Sequence, residues 1–143
     1  MPKNREIVES KNRKSAARRN DGGAPKPIHY DLDIWKEAMR LAREVYRLSA
    51  DFPADERFGL TQQVRRSAVS VASNIAEGAG RGRNAEWVQF LLVARGSLLE
   101  LDTQLWLAQD LGLFRPERAP RAELERLIAK INAFITFKRR ARA

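Results

Sequence analysis

The chain has 143 residues, enough for one ordinary domain with a hydrophobic core and too few for two. It has no cysteine, which excludes disulfides, thiolate metal sites and cysteine nucleophiles and suits a reducing compartment. Its net charge of +9 is concentrated at the ends: residues 1–27 carry eight basic and three acidic side chains, residues 138–143 carry four basic and none acidic, and between them 15 cations face 15 anions. Basic ends on a neutral body point to an acidic polymer as partner, because attraction to phosphates needs positive charge but no folded pocket; solubility is the plainer purpose of the same charges. The opening residues are polar and lack the apolar stretch of a secretory signal. The longest charge-free, apolar-leaning run, 67–76, is about half of a membrane span. A cytoplasmic location away from membranes is the expectation.

Residues 1–27 show no apolar periodicity and end in DGGAPKP, whose glycines and prolines break helices. They read as a disordered basic arm, with Arg13, Lys14, Arg18 and Arg19 as its phosphate-binding cations. The remainder, 28–143, reads as an all-α, antiparallel up-down-up-down four-helix bundle with helices over about 31–51, 58–78, 84–111 and 120–140. The first helix starts near Asp31 as a cap and buries Ile34, Ala38, Leu41, Val45 and Leu48 at steps of three and four; Pro53 ends it. The second buries Leu60, Val64, Ala68, Val71 and Ile75, has Arg65 and Arg66 flanking that face, and stops in GAGRG.

Asn84 suits a cap for the third and longest helix, in which Leu91, Ala94, Leu98, Leu101, Leu105 and Ala108 form a bundle seam. Trp87, Phe90, Leu99 and Trp106 fall off that seam, so the helix carries more apolar surface than one subunit hides, and these four are the expected oligomer interface. Gly96 and Ser97 in the same helix suggest a close helix approach. Leu124, Leu127, Ile128, Ile131, Phe134 and Ile135 define the fourth stripe, after Pro120 as a first-turn proline, and the basic tail Lys138, Arg139, Arg140 and Arg142 follows.

Catalytic chemistry has little to work with. His29 is the sole histidine and precedes the first helix, which excludes the usual Glu-x-x-His di-metal bundle and leaves a Ser-His-Asp arrangement without a preorganised base. GAGRG lacks both the preceding strand and the lysine of a phosphate-binding loop. No metal, cofactor or catalytic residue is expected. Glu77 lies at a helix C-terminus, where the macrodipole disfavours an anion by a few tenths to about 1 kcal/mol, so a specific partner such as Arg81 is expected. Arg65 and Arg66 point about 100° apart, and with Arg81 and Arg83 they are candidates for a positive patch.

Three stretches, DLDIWKEAMRLAREVYRL, FGLTQQVRRSAVSVASNIAEGAGR and EWVQFLLVARGSLLELDTQLWLAQDLG, resemble the four-helix-bundle family named for proteins encoded in intervening sequences of bacterial 23S ribosomal RNA genes. That family includes the accessory variability determinant of diversity-generating retroelements, a homopentameric barrel that associates with reverse transcriptase and RNA. The resemblance implies a non-enzymatic, homo-oligomeric bundle, a pentamer, that binds RNA or assists a reverse transcriptase. Arg65, Arg66, Asn74, Glu77, Gly78 and Arg81 match the family's most distinctive segment, Asn74, Glu77 and Gly78 in a structural role. Ala72 departs from it, standing where the family commonly has proline, which removes an expected kink. A protein-interaction scaffold without nucleic-acid binding is the alternative function.

Overall fold

The computed structural model describes residues 25–141 as four α-helices: α1 (Asp33–Ser49), α2 (Leu60–Gly80), α3 (Asn84–Asp110) and α4 (Arg121–Arg140). Short 3-10 turns lie at Ile28–Asp31, Ala54–Glu56 and Pro116–Arg118, and there is no β-strand among the described residues. The most extensive contact is α2 against α3, followed by α1 against α2 and α3 against α4, while α4 returns to α1. Helices adjacent in sequence are therefore adjacent in space, the antiparallel up-down-up-down four-helix bundle expected from the short connections. Residues 1–24 of the expected arm, with Arg13, Lys14, Arg18 and Arg19, lie outside the described residues, as does Arg142.

Periodicity located the core well. All the anchor positions of the first three stripes are buried, as are Leu124, Leu127, Ile131 and Ile135, and Ile128 and Phe134 pack at the core's edge. Phe52 and Phe114, from the α1–α2 and α3–α4 connections, stack with ring centroids 6.0 Å apart and close one end of the bundle. Near it α3 stops at Gly112, which takes a φ of +72° so that the Leu113 N–H can donate to the Ala108 carbonyl at 2.9 Å.

The helix ends differ from the sequence expectation. Asp31 does not cap α1: the chain passes through a 3-10 turn in which the Leu32 N–H donates to the His29 carbonyl at 3.1 Å, so α1 begins at Asp33. Asp31 instead accepts a bond from Lys26 Nζ at 3.1 Å. Asn84 lies inside α3 with Arg83 at the capping position, and its side-chain amide donates to the Ala141 carbonyl at 2.7 Å, fastening the end of α4 to the start of α3. Pro120 precedes the first turn of α4. Glu56 supplies what α2 lacks from its own N-cap glycine, its Oε2 accepting the Leu60 N–H at 3.0 Å. With alanine at position 72, α2 runs unbroken to Gly80.

Gly78 is therefore inside a helix and not at its stop, and packing explains it. A Cβ on Gly78 would lie 2.6 Å from Trp87 Cδ1 and 2.8 Å from Phe90 Cβ, so α2 and α3 approach this closely only at a glycine. Gly96 has no such role: a Cβ there would meet nothing within 4 Å. The polar contact lies one residue on, where Ser97 Oγ and Ser70 Oγ are 2.8 Å apart, with Ser67 Oγ donating to Gln104 Oε1 at 2.9 Å farther along the same seam. These two bonds fix how the helices slide against each other, since a shifted register would strand the buried Ser67 and Ser97 hydroxyls.

The small α1–α4 seam is held by charge. Lys130 Nζ donates to Asp33 Oδ2 at 2.7 Å and to Glu37 Oε1 at 3.0 Å, and Arg126 Nε lies 3.6 Å from the same Glu37 oxygen. The Lys130 bond holds the Asp33 carboxyl below its ordinary 3.8, and the Asp33 and Glu37 bonds hold the Lys130 ammonium above its ordinary 10.5.

Two outcomes are expected. Gly78→Ala should destabilise the fold by about 1–3 kcal/mol through overpacking, whereas Gly96→Ala should stabilise it by about 0.5–1 kcal/mol through helix propensity; thermal and urea denaturation of the two variants check the opposite signs. Because the Asp33 carboxyl is depressed in the fold, its contribution is present above pH 3.8 and is lost as pH falls through the lowered value. Lys130 contributes below 10.5 and loses that contribution as pH rises through its raised value. Urea midpoints measured against pH should accordingly show Asp33→Asn losing the acid limb, and Lys130→Met losing both limbs.

Candidate nucleic-acid interface

The candidate cations fall into two separate regions. Arg65 and Arg66 sit in the first half of α2 and Arg81 just past its end, so about 22 Å of helix rise separates Arg66 from Arg81. The single patch conceived from sequence is thus two surfaces.

The first surface is the groove between α1 and α2. Pro53 directs the chain into the Ala54–Glu56 turn, and Glu56 captures the start of α2, which leaves Arg57 and Phe58 on a ledge just before the helix. Together with Tyr46, Gln62, Arg65 and Arg66 they line an open depression of about 490 Å³ that no acidic side chain enters. Arg65 is its fixed member: Nε donates to Ser49 Oγ at 2.8 Å, NH2 reaches the Tyr46 carbonyl at 3.5 Å, and the guanidinium lies 4.6 Å from the Tyr46 ring centroid. Arg66 is exposed and makes no hydrogen bond or ion pair among the described residues. Arg57 lies 5.5 Å over the ring of Phe58, which is 82% exposed. Arg57, Phe58 and Tyr46 were missed by sequence reasoning, although an aromatic flanked by arginine before an apolar stripe was a readable signal.

The second surface is the end of the bundle where α2 stops, α3 starts and α4 finishes. Arg81 donates to Glu77 Oε1 at 2.8 Å, the partner expected for that carboxylate, and lies 5.1 Å over the Phe90 ring. Asn74 turns back along its own helix, donating to the Ser70 carbonyl at 2.8 Å. Lys138 lies 4.1 Å from the Trp87 ring centroid, and burial holds its ammonium below the ordinary lysine value. Beside it Asn84, Val88, Gln89 and Arg139 line a depression of about 330 Å³. Arg83, Arg139 and Arg140 are exposed there with no ion-pair partner among the described residues.

The apolar surplus of α3 is real but is distributed differently from the expectation. Trp87 is buried within the subunit, because glycine at position 78 leaves room for its indole, which meets Phe134 edge-on at 5.0 Å. Phe90 is half-buried beneath Arg81. Leu99 and Trp106 are exposed, the latter under the Arg121 guanidinium at 3.4 Å, and Val93, Leu107 and Leu111 extend the same outer face. Gly96, Leu99, Thr103 and Leu107 help line a further depression between α2 and α3 of about 490 Å³.

Nothing resembling a catalytic centre is assembled among the described residues. The buried polar side chains are Ser49, Ser67 and Ser97, none of them charged, and no group of three or more His, Asp or Glu is placed to hold a metal ion. His29 packs its ring against Tyr30 and Trp35. None of the described helices is long and apolar enough to cross a membrane.

Fold and surfaces together define a helical bundle whose available chemistry is cation and aromatic display. The chain belongs to the family of 23S rRNA-intervening sequence proteins, whose sequence model matches residues 30–136. That family is not a known enzyme family. No curated protein matches the chain.

If the unpaired cations are free to take phosphates, sulfate or polyphosphate should protect them. Chemical modification of arginine with and without polyphosphate, read by mass spectrometry, should show Arg66, Arg83 and Arg139 reacting readily and being protected, and Arg65 reacting least because Ser49 and Tyr46 hold it.

Proposed function

We propose that the protein is a non-enzymatic, homo-oligomeric RNA-binding protein of the cytoplasm that contacts phosphates through its two cationic surfaces and its basic ends. The observation carrying this reading is that the exposed arginines without an ion-pair partner among the described residues gather in two places, Arg66 at the groove where Arg57 lies over Phe58, and Arg83, Arg139 and Arg140 at the end of the bundle where Lys138 lies over Trp87. Paired surface charges serve solubility equally well, whereas an unpaired guanidinium such as Arg66 in one groove with an exposed ring, Phe58, suits phosphate and base together. The family's name, which refers to ribosomal RNA, supports the same partner.

Assembly is supported by the outer face of α3, where Leu99, Trp106 and Leu107 expose apolar surface that water disfavours. The homopentamer and the reverse-transcriptase partnership come from the resemblance to the retroelement accessory proteins. The second reading, a scaffold for another protein, draws on the same α3 face.

The test is binding of a structured RNA over a series of salt concentrations. Replacing Arg66 and Arg139 with glutamine should lower the slope of log affinity against log salt by about 1.4–1.8 units for two lost phosphate contacts. Absence of salt-dependent binding would turn the reading toward the scaffold. In sedimentation velocity, Leu99→Glu with Leu107→Glu should convert the assembly to monomers that remain helical.

A further inference from the structure

The Phe58 ring lies outside the apolar stripe of α2, which runs through Leu60, Val64 and Ala68, and it adds nothing to the core. Nor does it belong to the exposed face of α3, since its groove lies on the α1–α2 seam and the Leu99 depression lies on the α2–α3 seam. A phenylalanine held 82% exposed, with a guanidinium 5.5 Å over it and no acid lining its groove, is set up to receive a flat, electron-rich partner attached to negative charge.

We infer that this groove binds the unpaired bases of single-stranded RNA, one base stacking on Phe58 while Arg57 and Arg66 hold the phosphates on either side of it. The inference rests on the RNA-binding reading above and narrows it to one form of RNA. In an A-form duplex the base faces are covered by their neighbours and only backbone and edges are presented, so a protruding ring gains nothing there. In a single strand each base offers a face, and a ring flanked by cations takes up both parts of the nucleotide. Arg65 strengthens the site without having to be ordered on binding, because Ser49 and Tyr46 already fix its guanidinium in the groove wall. Gln62, at the same wall, brings an amide able to meet a base edge.

The full-length protein is titrated against a fluorescein-labelled single-stranded oligouridine and against a labelled RNA hairpin duplex, at one fixed salt concentration, by fluorescence anisotropy. Wild type should prefer the single strand. Phe58→Leu, which keeps apolar bulk but removes the stacking face, should weaken single-strand binding about 5- to 100-fold while leaving the duplex unchanged. Phe58→Trp should retain or tighten it, and Arg66→Gln should weaken both RNAs alike. If Phe58→Leu leaves the ratio of the two affinities unchanged while RNA still binds, the groove inference fails and the broader RNA reading stands. If wild type binds neither RNA, both fail. If Phe58→Leu instead changes the sedimentation coefficient, the ring is a contact between subunits and the inference is overturned.

Discussion

The close approach of α2 to α3 at Gly78 is the constraint on which both the packing and the surface chemistry depend. Backbone and indole meet there with no space for a methyl group, and Trp87 is thereby tucked beneath α2 with one ring face turned to α4. Lys138 lies over that ring and Phe134 meets its edge, so the basic end of α4 is positioned by an aromatic that a glycine admits. Arg81, three residues on, is bound back to Glu77 and covers Phe90. One missing side chain thus organises six residues drawn from three helices and the turn that follows α2.

A body whose charges balance in number can still present strongly positive regions if the pairing is uneven. Lys130, Arg121 and Arg126 face carboxylates across helix seams and Arg118 pairs with Asp51 between two connections, so their charge is absorbed in holding the bundle together. Arg66, Arg83, Arg139 and Arg140 have no such partner among the described residues, which leaves their guanidiniums able to meet phosphate without first breaking a bond. Close to them, Phe58 under Arg57 and Trp87 under Lys138 act to the same end, because a ring stabilises a nearby cation without neutralising it.

Much of the fold was legible in the residue order because helical periodicity is a local and redundant signal: Leu91, Leu98 and Leu105 announce their face several times over. Glu77 was equally legible, since an anion at a helix end needs a cation within one turn. What failed were single-residue inferences whose answer lies across the fold. Asp31 and Asn84 have the chemistry of caps, yet Lys26, on the approach to α1, and Ala141, at the far end of α4, claim them. Gly78 and Gly96 are indistinguishable in sequence, and only the position of α3 makes the first indispensable and the second incidental. Arg65 and Arg66 are likewise twins in sequence, separated by about 100° of helix rotation into a structural clamp and a free cation. The ledge bearing Arg57 and Phe58 escaped because Phe58 reads as the first residue of the second helix, whereas α2 begins at Leu60 and leaves Phe58 outside it.

Residues 81–83 alone join α2 to α3, whereas about ten residues connect α1 to α2 and α3 to α4. The most extensive interface in the bundle is therefore also the one closed by the shortest connection, and its loop-closure entropy is the smallest of the three. Contacts of this kind are local in sequence and form fast, so the α2–α3 hairpin is a pairing a nascent chain can complete as soon as Asp110 has emerged, before α4 has emerged to pack against it. While it is still being made, the protein would thus hold a hairpin already joined through Ser70 and Ser97, with the outer face of α3 bare.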